Sequence, residues 1–456
     1  MTKPTTLFLL GGSGDLSARL LMPALGQLLT EHSDRRVTLV GVGSDSLTDE
    51  QWKNRVTESF QTTESTGVSV DALLKETTYV TADVTDAQAL SDLLGRSNDA
   101  PAIYFALPPQ VTEKACAALE SVDLPEGTVL AMEKPFGVDA ESARRLNEQL
   151  QRLVPEDQIH RVDHFLGRST VLNLLGLRFA NRVFEPLWNR EHIESVAIVY
   201  DEQLGLEGRA GYYDHAGALV DMIQSHLLQV LSIFAMEAPY STDAVDLRAA
   251  KSAVLRATRV RDNDPTTWSH RARYTEGTVA DRHFPSYADE PDVHPEWKTE
   301  TLAQVTFDID NWRWAGVPFT LRSGKAIGVR RREILVTFKA APHIPVGLTG
   351  SSEPDVLRIA LGPDEMSLAM NVNGPGDPWE LDRAELTATF GEGQLKAYGE
   401  VLESMLDGDP SLSVRGDAAE QMWRIVDPII EAWRTDAVPL DEYETGSLGP
   451  ASWPPA

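Results

Sequence analysis

Between Arg161 and Arg168 the chain reads Arg161-Val162-Asp163-His164-Phe165-Leu166-Gly167-Arg168, which puts a carboxylate, an imidazole and two guanidiniums beside a short β-rich run. Burying such groups without partners is costly, so they are either solvated loop residues or parts of a site. His226 is a second candidate, on a long apolar pattern. Imidazole titrates nearest neutrality, so His226 is either a base poised by a carboxylate or a buried histidine satisfied by a neighbour. A third group runs from Arg313 through Leu321-Arg322-Ser323-Gly324-Lys325 to Arg330-Arg331-Arg332, the densest basic cluster of the chain. It suits an anionic group such as a phosphate, with a solvated charge run accounting for at least one of the three arginines. Lys134 stands immediately before Pro135, which restricts its backbone and aims its ammonium; an exposed surface lysine is the alternative.

The elements that must position these groups change character along the chain. Thr6–Leu10 is a compact apolar run ending in Gly11-Gly12-Ser13-Gly14-Asp15, and a helical pattern follows through Leu16, Leu20, Leu21, Leu25 and Leu28. Further strands are expected at Val37–Val42, Thr78–Thr81, Ala102–Leu107, Thr128–Met132 and Ile159–Val162. Helical patterns lie between them at Thr48–Phe60, Ala87–Leu94, Val111–Leu119 and Asp139–Leu153. Such alternation implies a parallel sheet covered on both faces. A glycine turn after the first strand is where these sheets hold a pyrophosphate, against backbone N–H groups at a helix N-terminus. Here the third position of the fingerprint holds Ser13 and the sixth Leu16, so the turn alone is also compatible with a tight bend.

At the end of the second strand, Ser44 and Asp45 should face the adenosine ribose. A carboxylate there accepts from a free 2′-hydroxyl and repels a 2′-phosphate, which leans the site towards NAD. The alternative is that Asp45 or Ser46 only caps the next helix. Leu107-Pro108 closes the fourth strand and Glu133-Lys134-Pro135-Phe136-Gly137 the fifth, at the edge where ligands gather.

After Arg168 the alternation stops. A strand at Ser195–Tyr200 precedes the polar loop Gly205–Asp214, and a helix apolar all round runs from about Ala218 to Met236. Such a helix is buried, so its polar members Asp221, Gln224, Ser225, His226 and Gln229 need partners. Strands at Thr301–Ile309, Ile334–Phe338, Val356–Ala360, Met366–Val372 and Arg383–Thr389 fit a large, mostly antiparallel sheet in an α+β domain. The fold expected is thus an α/β Rossmann-like dinucleotide-binding domain over residues 1–165, then an α+β substrate-binding and oligomerisation domain over 166–456. The loop Asp262–Pro295 has no assignment, and the tail from Ser447 reads as extended.

Composition narrows the classes. The 456 residues carry a formal charge of −28, which argues against nucleic-acid or anionic-membrane partners while leaving room for a local basic pocket. The single cysteine, Cys116, excludes an intrachain disulfide and a cysteine-rich metal site, and reads as a small buried hydrophobe. No metal site is expected. The N-terminal stretch Met1–Thr6 lacks a leader's apolar core, and Leu7–Leu10 is too short to span a membrane, so a cytoplasmic protein is expected.

Taken in order, Gly11–Leu16, Glu133–Gly137, Arg161–Gly167, Glu207–Asp214, Gln224–Gln229, Gly316–Lys325 and Tyr443–Ser447 resemble the glucose-6-phosphate dehydrogenase family over nearly the whole chain. The resemblance implies oxidation of a sugar phosphate at C1 to the lactone, with hydride passing to NADP or NAD. It implies His226 as general base, Asp163 as its carboxylate partner, and His164, Lys325 and Arg330 as phosphate or sugar contacts. Lys134, Glu202 and Asp221 match sugar-hydroxyl and positioning contacts. It also implies a homodimer or homotetramer joined through the large sheet. The chain departs from the family pattern at Phe165, where tyrosine is usual, at Arg168 (lysine), at Ser169 (glutamate) and at Ala18-Arg19-Leu20 (a lysine-rich turn). The arginine that commonly grips the NADP 2′-phosphate aligns with Ser44. Arg168 keeps a charge that can fork onto a phosphate. The same chemistry on a different hexose, or a non-catalytic sugar-phosphate-binding relative, are the competing expectations.

Overall fold

The computed structural model describes residues 5–456 except Asn98, Ser351 and Glu392; Met1–Pro4, part of the stretch read for the absence of a leader, lie outside the described residues. The chain forms two compact units. The first gathers Met1–Arg168, Pro239–Ser252 and Gly393–Trp423; the second gathers Ser169–Ala238, Ala253–Glu392 and Arg424–Ala456. A division at 165/166 follows chain order alone, whereas packing adds two later segments to the first unit.

In the first unit, β1 (Thr5–Leu10), β2 (Val37–Gly43), β3 (Thr78–Thr81), β4 (Ala102–Phe105), β5 (Val129–Glu133) and β6 (Ile159–Val162) form a parallel sheet in the order 6-5-4-1-2-3. That is the doubly wound order, and its strand sequence reverses between β1 and β4, where such sheets open a crevice at their carboxyl ends. The strands are apolar on both faces because helices cover both: all of β4 and β6 is buried. Local signals start the helices. The Thr48 side chain accepts from Gln51 N and the Gln51 side chain from Thr48 N, a capping box opening Asp49–Gln61.

Two additions come from far along the chain. Ser413–Val414 pairs antiparallel with β6 as an edge strand. The helix Ala397–Leu406 puts Val401, Leu402 and Met405 into the same core cluster as Leu21, Leu25 and Tyr104. Cys116 is wholly buried, and burial pushes its thiol up to about 12, so it stays an inert hydrophobe.

The second unit is built on an eleven-stranded mixed sheet. β7 (Ile193–Asp201) lies at its centre, antiparallel to Arg331–Phe338 and parallel to Phe319–Gly324. Most other pairings are antiparallel, while Leu440–Glu444 runs parallel to Ser269–Thr275. The stretch 262–295 contributes that Ser269–Thr275 strand and a small hairpin, Gly277–Val279 with Arg282–Phe284. The C-terminal tail is not extended: Trp453 packs into a core cluster with Tyr274 and Tyr443, and its indole donates to Asp441 Oδ2 at 2.8 Å.

The helical run Ala210–Ala235 is long and apolar enough to cross a membrane, yet it is mostly buried, as a core helix is. Its middle, Leu219–Leu227, is π-helical, a rarity that tends to mark functional positions.

Candidate active site

In the first unit the glycine turn is fixed by close approach. Gly11 has φ +87°, and a Cβ there would lie 2.2 Å from the Ala106 carbonyl at the end of β4, so only glycine fits. A Cβ on Gly12 would press at 3.1 Å on the Trp52 ring, whereas Gly14 meets only the Gly11 carbonyl, also at 3.1 Å. The turn is held below by Ser17 Oγ donating to Gly11 O at 2.8 Å, and Leu107 lies beside Gly11. Asp15 is exposed and pairs with Arg19 at 3.3 Å, Leu16 packs against the core cluster, and Ser44 and Asp45 are exposed after β2. Pro108 leads into the helix Pro109–Leu119.

The Arg161–Arg168 stretch separates into structural and chemical parts. Arg161 is fully buried and forks onto Glu156 at 2.9 and 3.2 Å, so it braces the fold. Asp163 is 2 % exposed and opens a 3₁₀ turn, His164–Gly167; its Oδ1 accepts from Phe165 N at 3.0 Å, which fixes the plane of the carboxylate. His164 is partly exposed and stacks on Tyr398 with ring centroids 5.1 Å apart. Phe165 is buried, and the Arg168 guanidinium lies 4.1 Å above its ring. The residue without the usual hydroxyl therefore acts as a platform for the cation.

Glu133, at the end of β5, accepts from Tyr104 Oη at 2.5 Å. Burial pushes its carboxyl up to about 7, partly offset by the hydrogen bond from Tyr104, the Lys134 charge and a hydrogen bond from Tyr398. Lys134, partly exposed, follows Glu133 directly, before a cis bond to Pro135. Tyr398 thus touches both His164 and Glu133, and nothing in its local sequence marks it; only the docking of Ala397–Leu406 brings it there.

In the second unit His226 is 2 % exposed on the π-helical stretch, with Asp221 one turn earlier accepting from Tyr212 Oη at 3.3 Å. Both ends of this helix are fastened. At the start, Gly217 breaks the run at φ +62°, and Leu219 N donates to the Glu300 carboxylate at 2.9 Å. At the end, the indoles of Trp188 and Trp314 donate to Phe234 O at 3.0 Å and Ala235 O at 2.7 Å, and Arg178 donates to Phe234 O at 2.8 Å. Carbonyls that would otherwise be orphaned at the helix C-terminus are thereby satisfied.

The basic cluster sorts itself by partner. Arg313 is engaged by Glu237 and Trp188 O, and buried Arg322 by Asp201 at 2.9 Å, so both are structural. Lys325 is 6 % exposed, 3.6 Å from Glu202 and 4.9 Å from the centre of the Tyr213 ring. Arg331 serves Glu333, Arg332 pairs with Glu202, and Arg330 is exposed.

Residues 8–173 match the glucose-6-phosphate dehydrogenase NAD binding domain, and residues 175–454 match the C-terminal domain of the same enzyme family. The chain belongs to the glucose-6-phosphate dehydrogenase family. Among similar proteins, the glucose-6-phosphate 1-dehydrogenase of Gluconobacter oxydans is 39 % identical over 98 % of this chain and 95 % of its own length. That of Zymomonas mobilis is 36 % identical over 98 % and 96 %. A solved glucose-6-phosphate dehydrogenase in complex with its substrate glucose-6-phosphate is 30 % identical with a TM-score of 0.88, covering 98 % of this chain and 96 % of that one. The crystal structure of the Mycobacterium avium enzyme gives 34 % and 0.85 over 99 % and 96 %. Family membership accounts for the Rossmann-like first sheet and for the large second sheet, which the sequence led us to expect as mostly antiparallel.

Proposed function

We propose that the chain oxidises glucose 6-phosphate at C1 to 6-phosphoglucono-1,5-lactone, using NADP or NAD, as the first oxidative step of the pentose phosphate route. The observation that supports this best is a chain matched end to end to the family that keeps a buried histidine, His226, on a helix clamped at both ends.

His226 takes the C1 hydroxyl proton, and Asp163 orients its ring and stabilises the imidazolium. Lys325 and Arg330 contact the phosphate or sugar in the second unit, and Glu202 and Asp221 serve as sugar-hydroxyl and positioning contacts. In the first unit His164 and Arg168 offer donors to the phosphate, and Lys134 serves the sugar hydroxyls. A base held rigid at the reacting proton is where most rate gain arises.

The residues present fit a dinucleotide. The Gly11–Gly14 turn is compressed against β4 and Trp52 but open at Gly14, where the Tyr79 hydroxyl lies beside Ser13 and Arg55 Nε is buried without a partner. A nicotinamide bound there supplies the hydride acceptor. The glycine turn, Leu107, Pro108 and Lys134 would hold it, with Ser44 and Asp45 at the ribose. A homodimer or homotetramer joined through the large sheet, checked by light scattering, and a cytoplasmic location complete the proposal.

The test is a matrix of hexose phosphates and free hexoses against both dinucleotides. Preferred turnover of glucose 6-phosphate is expected; a clear preference for another sugar would reassign the substrate while keeping the chemistry.

A further inference from the structure

The cation expected at the end of β2 is missing, since Ser44 stands there, but the fold supplies another from the following helix. Arg55, on Asp49–Gln61, reaches back to the glycine turn and donates to the carbonyls of Ser13 and, at 3.4 Å, Gly14. Among the described residues its hydrogen-bond partners are neutral carbonyls and not a carboxylate. Its Nε is buried without a partner. Tyr79, 8 % exposed, brings its hydroxyl to the same place, beside the Ser13 hydroxyl. A Cβ on Gly43 would lie 2.6 Å from that hydroxyl and 3.3 Å from Ser13 Oγ, so these groups converge at the carboxyl ends of β1 and β2. Two hydroxyls, a partnerless buried Nε and a guanidinium held only by neutral carbonyls make a half-site for a phosphate.

We infer that Arg55, with the hydroxyls of Tyr79 and Ser13, receives the 2′-phosphate of NADP and offsets the lean towards NAD set by Ser44 and Asp45. Arg55 then determines cofactor selectivity. This rests on the dehydrogenase reading, so the test must separate the two.

Equilibrium binding of NADP and of NAD, by titration calorimetry without sugar, is measured on the full chain and on R55Q, R55K and Y79F. R55Q should lower the ratio of NADP to NAD affinity by about tenfold to a hundredfold, the range for a lost charge-assisted hydrogen bond. R55K should keep more of that ratio than R55Q, and the salt dependence of NADP binding should weaken in R55Q. Equal loss for both dinucleotides, or an unchanged ratio, would mean that Arg55 only braces the glycine turn and would overturn the inference. Should R55Q fail to fold, Y79F decides: the ratio falls if the inference holds, and an unchanged ratio refutes it. A wild-type chain that binds neither dinucleotide would instead sink the dehydrogenase reading itself.

Discussion

Glu300 is the group through which solution conditions reach the helix that carries His226. Its carboxylate is 7 % exposed and accepts from Leu219 N at 2.9 Å, at the first turn after the Gly217 break. Burial pushes its carboxyl up from 4.5 to about 7, only partly offset by the Leu219 N–H. The folded chain therefore keeps this proton up to about pH 7, while the unfolded chain releases it near 4.5. Between those values the folded state binds more protons, so its contribution to stability is full below 4.5 and is lost as pH rises through about 7. Across pH 5 to 8 the two limits give a loss of about 2.5 kcal/mol. Glu300→Gln keeps an acceptor oxygen for Leu219 N but cannot titrate. In urea unfolding at pH 5 and pH 8, the stability of wild type relative to E300Q should fall by about that amount, the other titrating groups cancelling in the difference. Glu300→Ala, which leaves the buried Leu219 N–H without an acceptor, should cost about 1–3 kcal/mol at either pH. A wild-type minus E300Q difference that stays constant between the two pH values would refute the assignment of a neutral, buried Glu300.

Other substitutions probe neighbouring parts of the same frame. At Gly217 (φ +62°, ψ −179°) a Cβ would lie 2.3 Å from Glu300 Oε1, so Gly217→Ala should destabilise the second unit by about 1–3 kcal/mol from backbone strain alone; an unchanged urea midpoint would contradict this. Leu402→Ala removes a side chain from the core cluster shared with Leu25 and Tyr104, and should cost about 2–5 kcal/mol; a loss below about 1 kcal/mol would mean the helix Ala397–Leu406 is not integral to that unit.

The parts of the fold visible in the sequence are those set by short-range rules. The strands β1–β6 appear as apolar runs because both faces are covered, and their intervening helices carry caps such as Thr48 and Asp139. The helix Val68–Glu76 is not apparent: it starts behind Gly67 at φ +120°, with β-branched valines in its first turn. Phe319–Gly324 hides as a strand inside a stretch that reads as a charge cluster. The stretch 262–295 defeats pattern reading because its hairpin strands are only three residues each and Asp262, Asn263, Ala280, Asp281 and Asp292 all take positive φ. Among the candidate site residues, Asp163, His226 and Lys325 stand out by type and surroundings. Tyr398 and Glu300 do not, because each meets its partner only through the packing of segments distant in sequence.

The central claim is that His226 is the base in glucose 6-phosphate oxidation. It is tested most directly by comparing wild type with His226→Ala, measuring turnover with either dinucleotide and glucose 6-phosphate affinity by calorimetry. A fall in kcat of about 10²–10⁴-fold is expected, with sugar-phosphate affinity changed only a few-fold. Turnover that survives the substitution, or affinity lost in proportion to turnover, would contradict it.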